Sequence, residues 1–430
     1  MKWTAAMDRR QLAEIWERDM QQAFAAVPDA VKPYAGRIVD VDSHEMFPAQ
    51  IWEEVFGPIA KPIADLIKSQ PPRPNHASIP DYAGDVHPIE RDTIYKVKGP
   101  VAPGAVDIDR RLEVMDMMGI KSQLLFPTSI GLWGIQLATA EANSPMGKLF
   151  GNTTEEYRAY GRALVDAHVE WLVGVARKSS RMKVIAPVYG DTVPELIANA
   201  KKAIDAGMAG VWIGNGDPPG GVSPAHSDLD PFYAMLAEAK VGLHFHIGGA
   251  GSFLRTHEWK NAPAFEGYKW TQEISLDPWW LSVVHLAVQN FVATMVTGAV
   301  FDRHPELYVC SQEHTAHWIG PLAHLLDIWH HNNHSLHEKE YMGGVMRRRL
   351  PMLPSEYIRR NVRVMPFDFE PVGEYLDKYG LEEVYCFASD YPHVEGGSNF
   401  FGRFVEEIER FGPDVMEKFF VKNAEVLFPA

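Results

Sequence analysis

The stretch Ile38-Val39-Asp40-Val41-Asp42-Ser43-His44 opens as an apolar run and ends in polar residues at every second position. Successive side chains of a strand point to opposite faces, so the pattern predicts a buried strand over about 37–42 with Asp40, Asp42 and His44 on one side. A carboxylate and an imidazole two residues apart at a strand's C-terminal end match the donors of one divalent cation. The same triplet also reads as a hydrogen-bonded strand end, so the rest of the chain decides.

Outward from this run, buried strand patterns recur near residues 122, 184, 210, 242, 308, 362 and 385, with helical periodicity between them. Strands alternating with helices imply right-handed crossovers and a parallel sheet. Eight such units fit a closed (β/α)8 TIM barrel of the α/β class. Residues 1–36 read as an N-terminal helical arm (Leu12, Ile15, Trp16, Met20, Phe24), and 37–430 as one barrel domain. The extra length falls in inserts at about 46–108, 128–153, 216–226, 247–275 and 328–358, nearly all after strands and hence on the catalytic face. The first insert is broken by prolines but carries Trp52, Phe56 and Tyr95, which require burial, so it reads as a lid or wall rather than disorder.

Bulk composition narrows the function. The chain has 430 residues, 46% apolar and 23% charged, with Lys plus Arg at 41 against Asp plus Glu at 56 and a formal charge of −15. An acidic balance argues against nucleic acid or an anionic membrane as the main partner. No apolar run is expected to reach bilayer-spanning length, and the N-terminus leads into a charged helical pattern rather than a signal core. These features imply a cytoplasmic protein of enzyme size acting on a small molecule, with the arm and apolar inserts implying a homo-oligomer. Cys310 and Cys386 lie in apolar runs and read as buried thiols.

Four strand ends carry candidate ligands or acid–base groups: Asp42 with His44; His246; Ser311-Gln312-Glu313-His314; and Ser389-Asp390-Tyr391-Pro392-His393. Each has a bland reading. His246 alone is more often a satisfied core histidine, Asp390 suits a turn, and Glu313 could pair with an arginine. Four independent strand ends aimed at one barrel mouth make joint coincidence the weaker account. Asp, His, His and Asp suit Zn²⁺, Mn²⁺ or Fe²⁺.

These residues carry a resemblance. The chain resembles the amidohydrolase superfamily, in particular the branch that includes aminocarboxymuconate semialdehyde decarboxylase and the resorcylate and carboxyvanillate decarboxylases. The matching pieces are Asp40-Val41-Asp42-Ser43-His44, His246-Ile247-Gly248, the segment from Gly298 through Arg303 and Pro305 to Leu307, Ser389-Asp390-Tyr391-Pro392-His393, and the closing Val421-Lys422-Asn423-Ala424-Glu425-Val426-Leu427-Phe428. The resemblance spans about 37–429. It implies Asp42, His44, His246 and Asp390 as the shell of one divalent metal, zinc first, with manganese or iron as alternatives. Asp390, Glu313 and His314 would be the proton-transfer groups. Many members have a histidine where this chain has Glu313. The ligand that binuclear members carry after strand four is missing from Val211-Trp212-Ile213-Gly214-Asn215, which favours a single ion. Arg303 is read as structural, bonding loop carbonyls.

The readings are a metal-dependent hydrolase or decarboxylase, a non-haem iron oxygenase with two irons on the same scaffold, and a non-catalytic barrel. Glu45, Glu313 and His314 are the residues that would hold a second ion. The run of His324, His330, His331, His334 and His337 lacks acidic or cysteine partners and reads as a polar helix end. Trp259, Trp270, Trp279 and Trp280 read equally as an apolar pocket wall or a dimer interface.

Overall fold

The computed structural model describes residues 27–70, 78–248, 256, 259, 261–265, 278–337 and 350–428. Short runs rich in Val, Ile and Leu form seven strands: β1 (Ile38–Asp40), β2 (Ile120–Leu125), β3 (Met182–Pro187), β4 (Gly210–Trp212), β5 (Gly242–His246), β6 (Val309–Gln312) and β7 (Val362–Val364). They lie side by side in sequence order and every neighbouring pair is parallel. The main crossover helices are α1 (Ile108–Met117), α2 (Ile130–Ala138), α3 (Thr154–Lys178), α4 (Val193–Asp205), α5 (Asp230–Ala239), α6 (Leu286–Thr297), α7 (Ile319–His337), α8 (Pro354–Asn361), α9 (Val372–Tyr379) and α10 (Phe400–Ile408). The architecture is a curled parallel sheet clothed in helices, consistent with a TIM-barrel α/β fold.

The expected eighth strand is a bridge rather than a ladder. The Val364 N–H donates to Val384 O at 2.9 Å, the Cys386 N–H to Val364 O at 3.1 Å, and the Val41 N–H to Phe387 O at 3.1 Å, so residues 384–388 tie β7 to β1. Pairing stops early because Pro366, two residues past β7, has no N–H to offer. β1 likewise ends at Asp40, two residues sooner than the alternation predicts.

Strand alternation divides the core. Ile38, Leu125, Val184, Val211, Leu243, Phe245 and Val309 pack with helix residues such as Val114, Leu172, Leu196, Leu236 and Val292. Val39, Val41, Leu124, Phe126, Ile185, Trp212, Cys310 and Cys386 form a second cluster inside the curl. In β5, Leu243 and Phe245 face the helices, which turns His244 and His246 inward. Both cysteines are buried and free.

Sequence cues explain the helix starts. Asp107 accepts from the N–H groups of Asp109 and Arg110 to cap α1, and Thr153 with Glu156 forms a capping box for α3. Within the stretch read as an insert over 128–153, α2 is an unexpected helix. Gly131 and Gly134 depress its propensity. Packing compensates, because glycines let α2 and α3 touch: a Cβ on Gly161 would lie 2.3 Å from the Ala138 nitrogen, and one on Gly134 2.9 Å from the Val165 nitrogen.

The first insert is folded: Phe47, Trp52, Phe56, Ile63 and Ile67 pack on Ile130, Leu137 and Leu164 of α2 and α3. Tyr95 is buried as well. Trp279–Thr297 corrects the expectation about apolar runs, being long and apolar enough by length and composition to cross a membrane. In this fold its α6 part buries Val288, Phe291, Val292 and Met295 in the core shared with the sheet. The arm's helical pattern over 5–26 lies outside the described residues, as do Trp270 and the side chains of His334 and His337.

Candidate metal centre

Strand ends supply the site. Asp42 and His44 follow β1, His246 closes β5, Glu313 follows β6, and Asp390 with His393 follows the 384–388 segment. The ligand atoms of Asp42, His44, His246 and Glu313 all lie within 4.8 Å of one another, and those of His44, Asp390 and His393 form a second such set sharing His44. All but His393 are buried. His44 Nε2 is the hub. It stands 3.2 Å from His246 Nε2, 3.2 Å from Asp42 Oδ1, 3.5 Å from Glu313 Oε1 and 3.6 Å from Asp390 Oδ1. His246 Nε2 is 3.6 Å from both Asp42 Oδ1 and Glu313 Oε2.

Two tests show that a divalent cation suits these residues. A tetrahedral ion with bonds of about 2.0–2.1 Å separates its ligand atoms by about 3.3 Å, close to the spacings here. In addition, both carboxylate oxygens of Asp42 and of Asp390 are buried with no hydrogen-bond partner among the described residues. Buried carboxylates left unpaired are costly without a compensating charge. Among the described residues no other set of this kind occurs.

Electrostatics express the same crowding. Burial, and then the charges of Glu313 and Asp42, push the Asp390 carboxyl well above the usual range. Glu313 moves the other way: burial opposes its charge, but His246 and His44 outweigh burial and hold it ionised. Burial would depress His246, yet Glu313 and Asp42 lift it to about 9. Without a cation the cluster thus keeps a proton on Asp390 and another on His246. Glu313 (φ 57°) and Asp390 (φ 50°) both occupy the left-handed region, where a residue with a Cβ is strained. That conformation turns each carboxylate into the mouth.

Contacts behind the ligands fix their rings. His246 Nδ1 lies 3.1 Å from its neighbour's carbonyl, Ile247 O, which leaves Nε2 facing the site. Asp40 is not in the ligand set. Its carboxylate accepts from Ser389 Oγ at 2.6 Å, Gln123 Nε2 at 2.8 Å, Ser389 N at 2.9 Å and Asp42 N at 3.2 Å, locking the start of the site to the turn that carries Asp390. Burial outweighs these bonds and raises its carboxyl to about 6.

Two expected contributors are turned away. Glu45 accepts from the N–H groups of Thr128 and Ser129, each at 2.9 Å, from Ser129 Oγ at 2.6 Å, and pairs with His168 Nε2 at 3.1 Å. His314 is held by Asn215 Nδ2 and Ser311 Oγ, each at 3.1 Å, and stands outside both ligand sets. The left-handed turn at Glu313 sends consecutive side chains in different directions, so only Glu313 reaches the hub. Arg303 lies away from the site, donating to Gly298 O and Ala299 O and pairing with Asp230. His330 is buried on α7 next to His331, with ring centroids 6.2 Å apart, while His324 is exposed. The rings of Trp279 and Trp280 are tilted against each other with centroids 5.8 Å apart, while Trp259 is exposed.

A cavity of about 600 Å³ opens at Gly248, two residues past His246. Gln136, Tyr189, Ile213, Gly214, Arg158 and Gly248 are among the residues lining it. It is of a size for a small organic molecule.

The amidohydrolase family model matches residues 148–430. The chain belongs to the amidohydrolase family. It is thus an enzyme of a superfamily of metal-dependent hydrolases and carboxy-lyases. No curated protein matches the chain. Among solved structures, an amidohydrolase from Mycobacterium avium subsp. paratuberculosis K-10 is 20% identical, with a TM-score of 0.60 over 91% of this chain and 99% of that one. A 5-carboxyvanillate decarboxylase from Novosphingobium aromaticivorans DSM 12444, complexed with manganese and 4-hydroxy-3-methoxy-5-nitrobenzoic acid, is 16% identical, with a TM-score of 0.55 over 92% and 96%. A dihydroxybenzoic acid decarboxylase from Polaromonas sp. JS666, with manganese and 2-nitroresorcinol, is 12% identical, with a TM-score of 0.53 over 91% and 96%. At these identities the likeness is one of fold.

Sequence reasoning missed Thr128, His168 and Arg111, and left His393 without a role. His393 was the readable one, since it ends the Ser389–His393 motif. The others sit on distant elements and carry no local signal.

Proposed function

We propose that this amidohydrolase is a mononuclear, divalent-metal-dependent carboxy-lyase acting on a small aromatic or enoic carboxylic acid. The carrying observation is the single buried set Asp42, His44, His246 and Glu313 with Asp390 beside it. The fold shared with carboxyvanillate and dihydroxybenzoate decarboxylases supports loss of CO₂ over other reactions of the family. Asp42, His44, His246 and Asp390 would hold the ion, zinc or manganese, with Glu313 in reach. Bound there, the ion would supply Lewis acidity toward a substrate carboxylate and its neighbouring oxygen.

The protein's own groups do the rest. The cavity beside Gly248 takes the body of the substrate. Asp390, facing Glu313, holds a proton at its carboxyl, and Glu313 stays ionised. Scission of the C–C bond leaves its electron pair on the substrate carbon, CO₂ departs, and the proton of Asp390 is transferred to that carbon. A solvent proton then restores Asp390. Of the three extra ligands of the two-iron reading only Glu313 reaches the hub, because Glu45 and His314 are bonded elsewhere.

The test pairs elemental analysis with product analysis on a panel of hydroxybenzoic and enoic acids in D₂O. About one zinc or manganese per chain, CO₂ release and one deuterium at the former carboxyl carbon are expected. Water consumption without CO₂ would reassign the enzyme to hydrolysis. A protein that neither retains nor takes up a divalent ion would overturn the reading.

A further inference from the structure

We propose that Thr128 is the positioning residue of the metal centre, its hydroxyl fixing the ligating tautomer of His44 and tying it to His393. This inference rests on the metal-centre reading above and adds a residue to it. Thr128 lies just past β2, three residues beyond Leu125. Its Oγ1 is 2.8 Å from His44 Nδ1 and 3.3 Å from His393 Nε2. The two imidazoles stand edge to face with centroids 4.3 Å apart.

A neutral imidazole carries its single proton on one nitrogen. His44 Nε2 is the atom surrounded by His246, Asp42, Glu313 and Asp390, so it serves as a ligand only when the proton sits on Nδ1. Thr128 Oγ1 accepts that proton's hydrogen bond. The hydroxyl's own hydrogen is then directed to His393 Nε2. One side chain therefore sets the tautomer of a ligand and the orientation of the ring beside it.

The turn that carries Thr128 is itself held by the residue next to His44. Glu45 accepts from the N–H groups of Thr128 and Ser129 and from Ser129 Oγ, and buried His168 lies against it through Nε2. The path from His44 to Glu45, to the Thr128 backbone, to the Thr128 hydroxyl and back to His44 Nδ1 closes on itself. Such a closed path restricts rotation of the His44 ring about both χ angles. It also explains why an ionisable residue adjacent to a ligand faces away from the site.

The test compares Thr128→Val, which keeps shape and removes the hydroxyl, with Thr128→Ser, which keeps the hydroxyl. Metal-free protein is titrated with Mn²⁺ and Zn²⁺ against a competing chelator, and the metal-free melting temperature is read in parallel. Partners behind metal-bound histidines are worth about 10–100-fold in affinity. Thr128→Val is expected to bind both ions 10–100-fold more weakly, with Thr128→Ser within about threefold of wild type. Equal affinity in wild type and Thr128→Val overturns the proposal. So does an equal loss in both variants, which would assign the effect to methyl packing, or a loss in Thr128→Val fully matched by a fall in metal-free melting temperature. Absence of Mn²⁺ and Zn²⁺ binding by the wild type would instead overturn the metal-centre reading itself.

Discussion

Arg111 offers the sharpest perturbation of the framework beneath the site. It is 1% exposed on α1 and has no carboxylate partner among the described residues. Its Nε donates to Gly104 O at 2.7 Å, its Nη2 to His44 O at 2.6 Å, and its guanidinium lies 4.8 Å from the centroid of the Tyr391 ring. It thus joins the backbone of a ligand to the turn after Asp390. Arg111→Met leaves two buried carbonyls unpaired, each costing about 1–3 kcal/mol, and removes a cation–π contact worth about 1–2 kcal/mol. Relief of a buried charge offsets part of this; burial is the main force pulling its pKa down. The net loss works out at about 3 kcal/mol. A chain of 430 residues has an unfolding entropy of roughly 0.9 kcal/mol/K, so the melting temperature should fall by roughly 3 °C. Calorimetry on metal-free protein reads the stability, and chelator competition reads the accompanying loss of metal affinity. Arg111→Lys keeps the charge without the fork and should fall between. A shift under about 1 °C in Arg111→Met with unchanged metal affinity would refute the reasoning.

Asp390→Asn should reduce turnover by about a thousandfold or more while the metal-free protein melts no lower than wild type, since the amide replaces a carboxyl that burial and Glu313 already keep protonated. Full activity in that variant, measured by CO₂ release, would remove Asp390 from the mechanism. His246→Ala should cut the metal content measured by elemental analysis to well below one ion per chain; unchanged stoichiometry would move the ligand set. Acid should destabilise the metal-free fold through His244, whose burial pushes it down to about 3 despite its bond to Gln312. The folded histidine stays neutral while the unfolded one titrates near its ordinary 6.5. Its contribution is therefore intact above pH 6.5 and is lost by about 1.4 kcal/mol per pH unit as pH falls toward 3. Urea midpoints at pH 7 and pH 5 should show a shallower acid loss in His244→Gln, and an unchanged slope would sink the assignment. Gly161→Ala should destabilise by about 1–3 kcal/mol, because its Cβ would sit 2.3 Å from the Ala138 nitrogen; a neutral effect in denaturant titration would mean that α2 yields freely.

What the sequence discloses follows from what is local. The strands β1 to β7 were legible because apolar runs of four or so residues alternate with amphipathic helices. Asp42, His44, His246 and Asp390 were legible because each ends or closely follows such a run. The direction of a side chain just past a strand was not. Glu45 and His314 directly follow residues that face the hub, and only tertiary partners turn them aside: the Thr128–Ser129 turn for Glu45, and Asn215 with Ser311 for His314. Alternation also failed at Asp40, which lies on the last residue of β1 and bonds across to Ser389 instead of joining the ligands. α2 was hidden by its glycines, whose poor propensity is the condition for close contact with α3. Thr128, His168 and Arg111 are about 80, 120 and 65 residues distant from the ligands or neighbours they serve, beyond any periodic signal.

The arrangement of charge ties these failures to the chemistry. Three carboxylates and three imidazoles, all but His393 buried, meet at one point, yet buried Arg111 bonds carbonyl oxygens and lies over an aromatic face. Glu45, which would have added a fourth carboxylate, faces His168 and the Thr128–Ser129 turn instead. The centre is thus left with an excess of negative charge that only a bound cation or extra protons can balance. In the metal-free protein protons do so, on Asp390 and His246. Entry of a divalent ion must therefore displace the proton of His246, whose Nε2 faces the site, which makes affinity rise with pH, while the proton of Asp390 is the one kept for the substrate. Ligand and proton carrier coincide at Asp390 because its left-handed turn, held by Ser389 on Asp40, leaves both oxygens without any other partner.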